Sequence, residues 1–296
     1  MRILTGAARV LAVKETPLEF FSEHHIESVS ELVHIPRMAL PTAFSLKSNM
    51  SGIRDQGFGE TCVSFAAIAA LEYVHGRIDL SEADITNGAE RAYDDCRPGL
   101  GLVPPMQYCS VSGVVSESDW PYDEKQICWA HPPDTTGKPH FRFSRIAAVF
   151  HRPSAEIHRN MAVTADPYLN KREHLDLLTS SAITDSVKSA LVQLARPVVL
   201  DVPVWFTILG HFDAGWDRGP DVHMPTPVHV AMWLEKNANS PGNVDGWHAI
   251  PICGYDDSTG RFEFKNSWGF WGNAGYGTIP YQYVETYSRT GMQGWG

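Results

Sequence analysis

Cysteine is scarce in this 296-residue chain, with five residues at positions 62, 96, 109, 128 and 253. The number is odd and no two form a Cys-x-x-Cys pair, which argues against a zinc ribbon or a thioredoxin-type site. A chain of this length does not need disulfides to hold its core, so a reducing compartment is expected. Basic blocks are missing too: 24 Lys and Arg stand against 34 Asp and Glu, for a net charge of -10. Without a basic stripe interleaved with aromatics, a nucleic-acid partner is disfavoured and none is expected. No apolar run approaches the roughly 20 residues that span a bilayer, so no membrane partner is expected. Arg9 interrupts the first apolar stretch, position 2 is Arg, and the chain closes Gly294-Trp295-Gly296. These features offer neither a secretory signal nor a lipidation motif. The expected location is cytoplasmic, or outside the cell by a route without a cleavable signal peptide. His151, His158 and His174 are scattered with no carboxylate at i,i+4 and are read as surface residues; no metal and no cofactor is expected. Neither internal repeats nor low-complexity segments occur, and the sequence leaves oligomeric state open.

What is present centres on Asp55-Gln56-Gly57-Phe58-Gly59-Glu60-Thr61-Cys62, followed by an apolar run from Val63 to Leu71. Gly57 and Gly59 permit a tight loop. Thr61 is a candidate helix N-cap. Cys62 would then sit at the positive end of a helix dipole, where a thiolate is favoured. The Gln56 amide, six residues upstream, can curl back as an oxyanion donor. Taken alone, such a cysteine is more often a buried core residue.

The flanking pattern divides the chain. Residues 1–40, with His24-His25 and Pro36, read as a packed arm, a short propeptide or a partner-binding segment. Helices are expected from Cys62 to His75, stopped by Gly76, and from Ser81, which caps an acidic first turn. Arg97 to Pro105 reads as loop and Gln107 to Gly113 as helix. A strand is expected at 141–146, a helix at 184–195 and a strand at 197–202. Residues 211–246 read as a long surface excursion. Trp247 to Tyr255, Arg261 to Trp268 and Thr278 to Tyr283 alternate as strands. The 55–125 half is thus mainly helical and the later half mainly β.

His248 opens one of these strands and Asn266 closes the strand expected to pair with it. Antiparallel pairing sets such positions side by side. An amide oxygen that accepts one ring proton orients the other ring nitrogen toward a nucleophile. A thiolate and an imidazolium stabilise one another, and Trp268 is placed to shield the histidine–amide bond from water.

With these blocks together, the chain resembles the papain-like cysteine peptidases. The resemblance rests on Gln56-Gly57 with Cys62, Leu80-Ser81-Glu82, Val114 to Glu117 with Trp120-Pro121-Tyr122, Trp247-His248-Ala249 with Gly254-Tyr255, and Lys265-Asn266-Ser267-Trp268-Gly269 with Trp271-Gly272 and Gly275-Tyr276-Gly277. It covers about residues 40–284, and the excursion before His248 with Pro280-Tyr281-Gln282-Tyr283 is similar to the bacterial-type branch. It implies an α+β fold of two lobes with the site between them: a helical lobe over about 52–130 and an antiparallel β-barrel lobe over about 136–284. Residues 285–296 would be a C-terminal tail. It further implies Cys62 as nucleophile, His248 as base and acid, Asn266 as orienter, and Gln56 with the Cys62 amide as oxyanion hole. Gly101 and Trp247 would contact a protein or peptide substrate. The family's Cys-Gly-Ser/Ala-Cys reads Gly59-Glu60-Thr61-Cys62 here, which sets a carboxylate near the thiol. The implied reaction is peptide hydrolysis through a thioester. The same triad serves acyl transfer or deamidation, and the same fold serves inactive binding modules. The reading requires sulfur, imidazole and carboxamide within reach of one another, and a sulfur that solvent can approach.

Overall fold

In the computed structural model, which describes residues 13–32, 39–92, 99–124, 132–165, 182–205, 215–237 and 246–296, the first half is mainly helical. It contains β1 (Val13–Lys14), α1 (Leu18–Glu23), α2 (Val29–Leu32), β2 (Ala43–Ser45), α3 (Cys62–Val74), α4 (Glu82–Ala92), β3 (Leu100–Gly101) and α5 (Val103–Val111). The second half adds β4 (Arg145–His151), α6 (Ser154–Ala165), α7 (Ala182–Leu194), β5 (Val198–Pro203) and α8 (Pro227–Asn237). It closes with β6 (Trp247–Asp256), β7 (Arg261–Lys265), β8 (Tyr276–Pro280), α9 (Tyr281–Tyr287) and β9 (Thr290–Trp295).

α3 is buried on every side from Cys62 to Glu72, as its continuous apolar run requires. It lies between α4 and α5 on one side and β6 on the other. Ser81 caps α4: its Oγ accepts the Asp84 amide at 2.9 Å. Asp84 then takes the Val115 amide and the Tyr108 hydroxyl, tying α4 to α5 and the turn beyond it. The loop expected over Arg97 to Pro105 is in part ordered structure. Pro104 and Pro105 start α5, where a missing amide costs nothing because first-turn amides have no intrahelical acceptor.

The sheet corrects the expected β-barrel. Its strands run β4-β9-β5-β6-β7-β8, with β2 beside the far end of β6, and it is an open sheet rather than a closed barrel. The reason lies at the two outer strands. The free edge of β8 is bonded by residues 220–222, through Thr278 N to Pro220 O at 2.7 Å and Val222 N to Thr278 O at 2.8 Å. The free edge of β4 is bonded by the N-terminal segment, through Ala148 N to Glu27 O at 3.0 Å. Edge groups satisfied in this way do not seek one another.

Other expectations also shift. The last residues, read as a tail, form the end of α9 and then β9, which pairs with both β4 and β5. The segment 211–246, read as a surface excursion, contains a fully buried Trp216 and the helix α8, which packs on α6. The strand expected at 141–146 begins later, at Arg145, and Tyr281–Tyr287 is helix where a strand was expected to continue.

A buried set of charges joins the helices to the sheet. Glu72 and Glu82 from the helical half face Lys265 of β7 around a small cavity that Arg54 also lines, and Glu117 acts on Glu82. Burial, reinforced by the Glu72 and Glu117 carboxylates, pushes Glu82 up to about 8. Because this folded value exceeds the ordinary 4.5, the stabilising share of Glu82 is complete below about pH 4.5 and lost as pH rises through 8. Glu82→Gln should therefore gain stability relative to the native chain on going from pH 5 to pH 8.5, by on the order of 4 kcal/mol in urea denaturation. Equal differences at the two pH values would contradict this assignment.

Candidate active site

Cys62 is the first residue of α3, as the loop before it implies. Thr61 occupies the cap position, yet its hydroxyl makes no cap bond and instead pairs with the Tyr122 hydroxyl at 2.9 Å. The groups that favour the thiolate at Cys62 are backbone amides. The amides of Ala249, Val63 and Cys62 itself act on the sulfur and favour the thiolate. Burial outweighs them and pushes the thiol up to about 12; the Glu60 carboxylate adds in the same direction. The sulfur is thus docked against the residue that follows His248.

His248 and Asn266 meet at the site, with His248 in β6 and Asn266 just past the end of β7 rather than inside the paired strand. His248 Nε2 lies 2.9 Å from Asn266 Oδ1. A carboxamide oxygen only accepts, so Nε2 carries the proton and Nδ1 is the basic nitrogen. The same Oδ1 accepts the Ser267 amide at 2.9 Å, which fixes the carboxamide. Trp268 stacks on the imidazole with ring centroids 4.8 Å apart, and Trp216 meets it edge-on at 5.9 Å. The shielding expected of Trp268 is shared with Trp216, whose indole donates to the Tyr283 hydroxyl at 3.1 Å.

Gln56 is drawn into the same neighbourhood from the other half of the chain. Its backbone amide donates to Ser267 O at 2.8 Å and its Oε1 accepts the Ser267 hydroxyl at 2.6 Å. Gln56 Nε2 donates one hydrogen to Gly59 O at 2.7 Å, which leaves its second hydrogen for another acceptor. Gly57, at φ +61, supplies the left-handed turn on which this curl depends.

Gly101 and Trp247, expected to touch substrate, are both covered. Gly101 pairs with Lys14 of β1, and the Thr16 hydroxyl lies where a Gly101 side chain would begin. Trp247 is fully buried, with the Arg289 guanidinium 3.6 Å from its ring centroid and Trp233 edge-on at 6.1 Å. Cys62 and His248 are also fully buried, which departs from the expectation of an approachable sulfur. Strand β1 bridges the two halves at this point: it pairs with β3 from the helical side, packs on β6, and its Val13 carbonyl accepts Arg289 Nη2 at 2.8 Å.

Sequence reasoning missed Trp216, Asp201 and Arg289. Asp201 stands alone in the apolar run of β5, and that isolated carboxylate was the available signal. Its two oxygens take Arg289 Nε at 2.7 Å and the amides of Arg289 and Thr290 at 3.0 and 2.7 Å. His151 and His158, expected at the surface, are half-buried, and burial lowers the pKa of each. Cys109 and Cys253 are buried free thiols. Cys96, Cys128 and His174 lie outside the described residues. Among those described, no group of His, Cys, Asp and Glu could hold a metal, and no helix is long and apolar enough to cross a membrane.

No family model matches the sequence, and no curated protein matches it. Solved structures do. Xylellain, a cysteine protease from Xylella fastidiosa, matches at 17% identity over 97% of this chain and 96% of its own, with a TM-score of 0.60. Procathepsin B S9 from Trypanosoma congolense matches at 16% identity over 98% and 87%, with a TM-score of 0.62. Procathepsin L 3 of the Tenebrio molitor larval midgut matches at 17% identity over 97% and 84%, with a TM-score of 0.57. At these identities the likeness is one of fold, and the chain has the papain-like fold.

Proposed function

We propose that the protein is a cysteine peptidase that hydrolyses peptide bonds through a thioester acyl-enzyme. The observation that carries this reading is the 2.9 Å bond between His248 Nε2 and Asn266 Oδ1 beside a helix N-terminal cysteine whose sulfur meets the Ala249 amide. In this mechanism His248 Nδ1 takes the Cys62 proton, and the sulfur attacks the carbonyl carbon. The oxyanion is held by the Cys62 amide and the second Gln56 Nε2 hydrogen. The C–N bond breaks as Nδ1 returns its proton to the leaving amine. Water then attacks the thioester, Nδ1 accepts its proton, and Cys62 leaves as thiol with release of the acid. We assign the chain to the bacterial-type branch on the character of residues 211–246 and Pro280 to Tyr283.

The pairing of β1 with β3, its packing on β6 and the burial of Cys62 support a covered form in this reading. β1 fills the trough between β3 and β6, and residues 1–40 act as a removable propeptide, leaving 41–296 as the catalytic unit. A protonated, buried thiol is the resting state that such a cover produces.

A trapping epoxide of the peptidyl-epoxysuccinyl type tests the reading. One adduct per chain, mapped by mass spectrometry to Cys62 after the N-terminal segment is displaced, is expected. An adduct on Cys109 or Cys253, or none in folded protein, would count against it. Backbone cleavage of a substrate protein supports hydrolysis, whereas a one-dalton mass gain without cleavage would turn the same triad into a deamidase.

A further inference from the structure

Arg289 is unusual among the buried residues. It is 1% exposed, its Nε is held by Asp201, and its guanidinium carbon lies 3.6 Å from the Trp247 ring centroid. Asp201 grips the Nε side alone, so it fixes the plane of the fork without using the fork's end. Of the two terminal nitrogens, Nη2 reaches the Val13 carbonyl, and Nη1 has no hydrogen-bond partner among the described residues. A buried donor left in this state is costly, and removing β1 would leave both terminal nitrogens without an acceptor. The fork is preorganised, beside the strand that carries His248, for a group that accepts two parallel hydrogen bonds. A carboxylate is that group; an amide oxygen satisfies one nitrogen and an alkyl or ammonium group neither.

A second observation points the same way. The segment that fills the trough carries Glu15, and its Oε1 accepts the amide of Ser154 at 2.9 Å. Ser154 is the first residue of the 12-residue α6, so this amide stands at the positive end of a helix. His151, three residues before Ser154, has its Nδ1 2.9 Å from the hydroxyl of Thr290, the residue after Arg289, so fork, helix end and carboxylate share one basin. The chain's own occupant thus brings an acid into the basin.

We propose that Arg289 is a specificity-determining residue and that the cleft selects peptides carrying an acidic side chain at the position that reaches its guanidinium fork. The proposal rests on the peptidase reading and names its substrate class. Asp201 is the positioning residue that keeps the fork oriented, and Trp247 supports its face.

The test uses the full chain carrying Val13→Lys and Glu15→Ala, which loosen β1, and internally quenched peptides that differ by Glu, Gln, Leu or Lys at one position at a time. At one position Glu should exceed its isostere Gln by about tenfold in kcat/KM, as expected for a charge-assisted over a neutral bond. Arg289→Gln should bring that ratio close to one. Should the variant not fold, the parent protein answers alone: the Glu preference must fade as pH falls through the substrate carboxylate's range of about 4.3. An active enzyme indifferent to Glu against Gln at every position, or favouring Lys, would overturn the proposal. If no peptide is cleaved and no epoxide adduct forms at Cys62, the peptidase reading fails by itself. Binding of labelled Glu and Gln peptides to the same protein with Cys62→Ala then still decides about Arg289. Equal affinity, including no measurable binding of either, rejects it.

Discussion

Cys62→Ser, made in the chain with β1 loosened, is expected to lower peptide kcat/KM by about 10,000-fold while leaving the fold and peptide affinity nearly unchanged. The size follows from what serine lacks. An alcohol ionises far less readily than a thiol, and the proposed mechanism asks His248 to stabilise a thiolate by ion pairing rather than to strip a hydroxyl. The oxyanion donors remain, so the residual rate over water should not vanish. Asn266→Ala should cost less, about 100-fold, because it frees the imidazole to rotate without removing the base. The two effects should combine non-additively, since an orienter has nothing to orient once the nucleophile is gone. Measured kcat/KM for the two single variants and the double variant checks all three statements. Full activity of Cys62→Ser would end the covalent reading.

The site was more legible than the scaffold around it, and the reason is physical. Cys62, His248 and Asn266 sit in locally encoded settings: a glycine loop before an apolar helix, and two alternating strands across a tight turn. Each setting needs only neighbours in sequence, and the pairing of β6 with β7 carries the chain on to Asn266 just past the strand end. Ser81 as cap of α4 was legible for the same reason. Open or closed sheet topology is not local. It is decided by whether residues 220–222 and Glu27 reach the outer edges of β8 and β4, contacts between segments that carry no periodic signal. β9 was hidden because Thr290-Gly291-Met292-Gln293-Gly294-Trp295 lacks clean alternation. It is buried on both faces in the middle of the sheet, where alternation is not required. α5 was obscured by Pro104 and Pro105, which read as breakers and serve as a first turn. Arg289 escaped notice because its partners, Asp201, Trp247 and Val13, come from three distant segments. A long-range ion pair leaves no pattern in a single sequence.

Loosening β1 is expected to raise the rate of Cys62 alkylation at pH 7.5 by about 100-fold in the full chain. Val13→Lys removes a fully buried aliphatic side chain and sets a cation against Arg289; Glu15→Ala removes the bond to Ser154. Burial of one such aliphatic side chain and one hydrogen bond together stabilise by about 3 kcal/mol, which corresponds to about a 100-fold change in how often the cover is off. The pH dependence has a definite sign. In the covered form the thiol is pushed up to about 12 from 9.0 by burial, so the covered state favours the protonated sulfur. Its contribution to holding the cover is complete below about pH 9 and lost as pH rises through 12. The native chain should therefore open progressively above pH 9, and its alkylation rate should climb toward that of the loosened variant as it does so. The loosened variant, with Cys62 freed from burial at a helix N-terminus, should instead react with an apparent pKa below 9.0 and stay nearly flat through that range. Iodoacetamide kinetics followed by mass spectrometry from pH 6 to pH 10.5, with Cys109 and Cys253 as internal buried controls, separates the two profiles. Parallel profiles for the native and loosened chains would mean that something other than β1 encloses the sulfur.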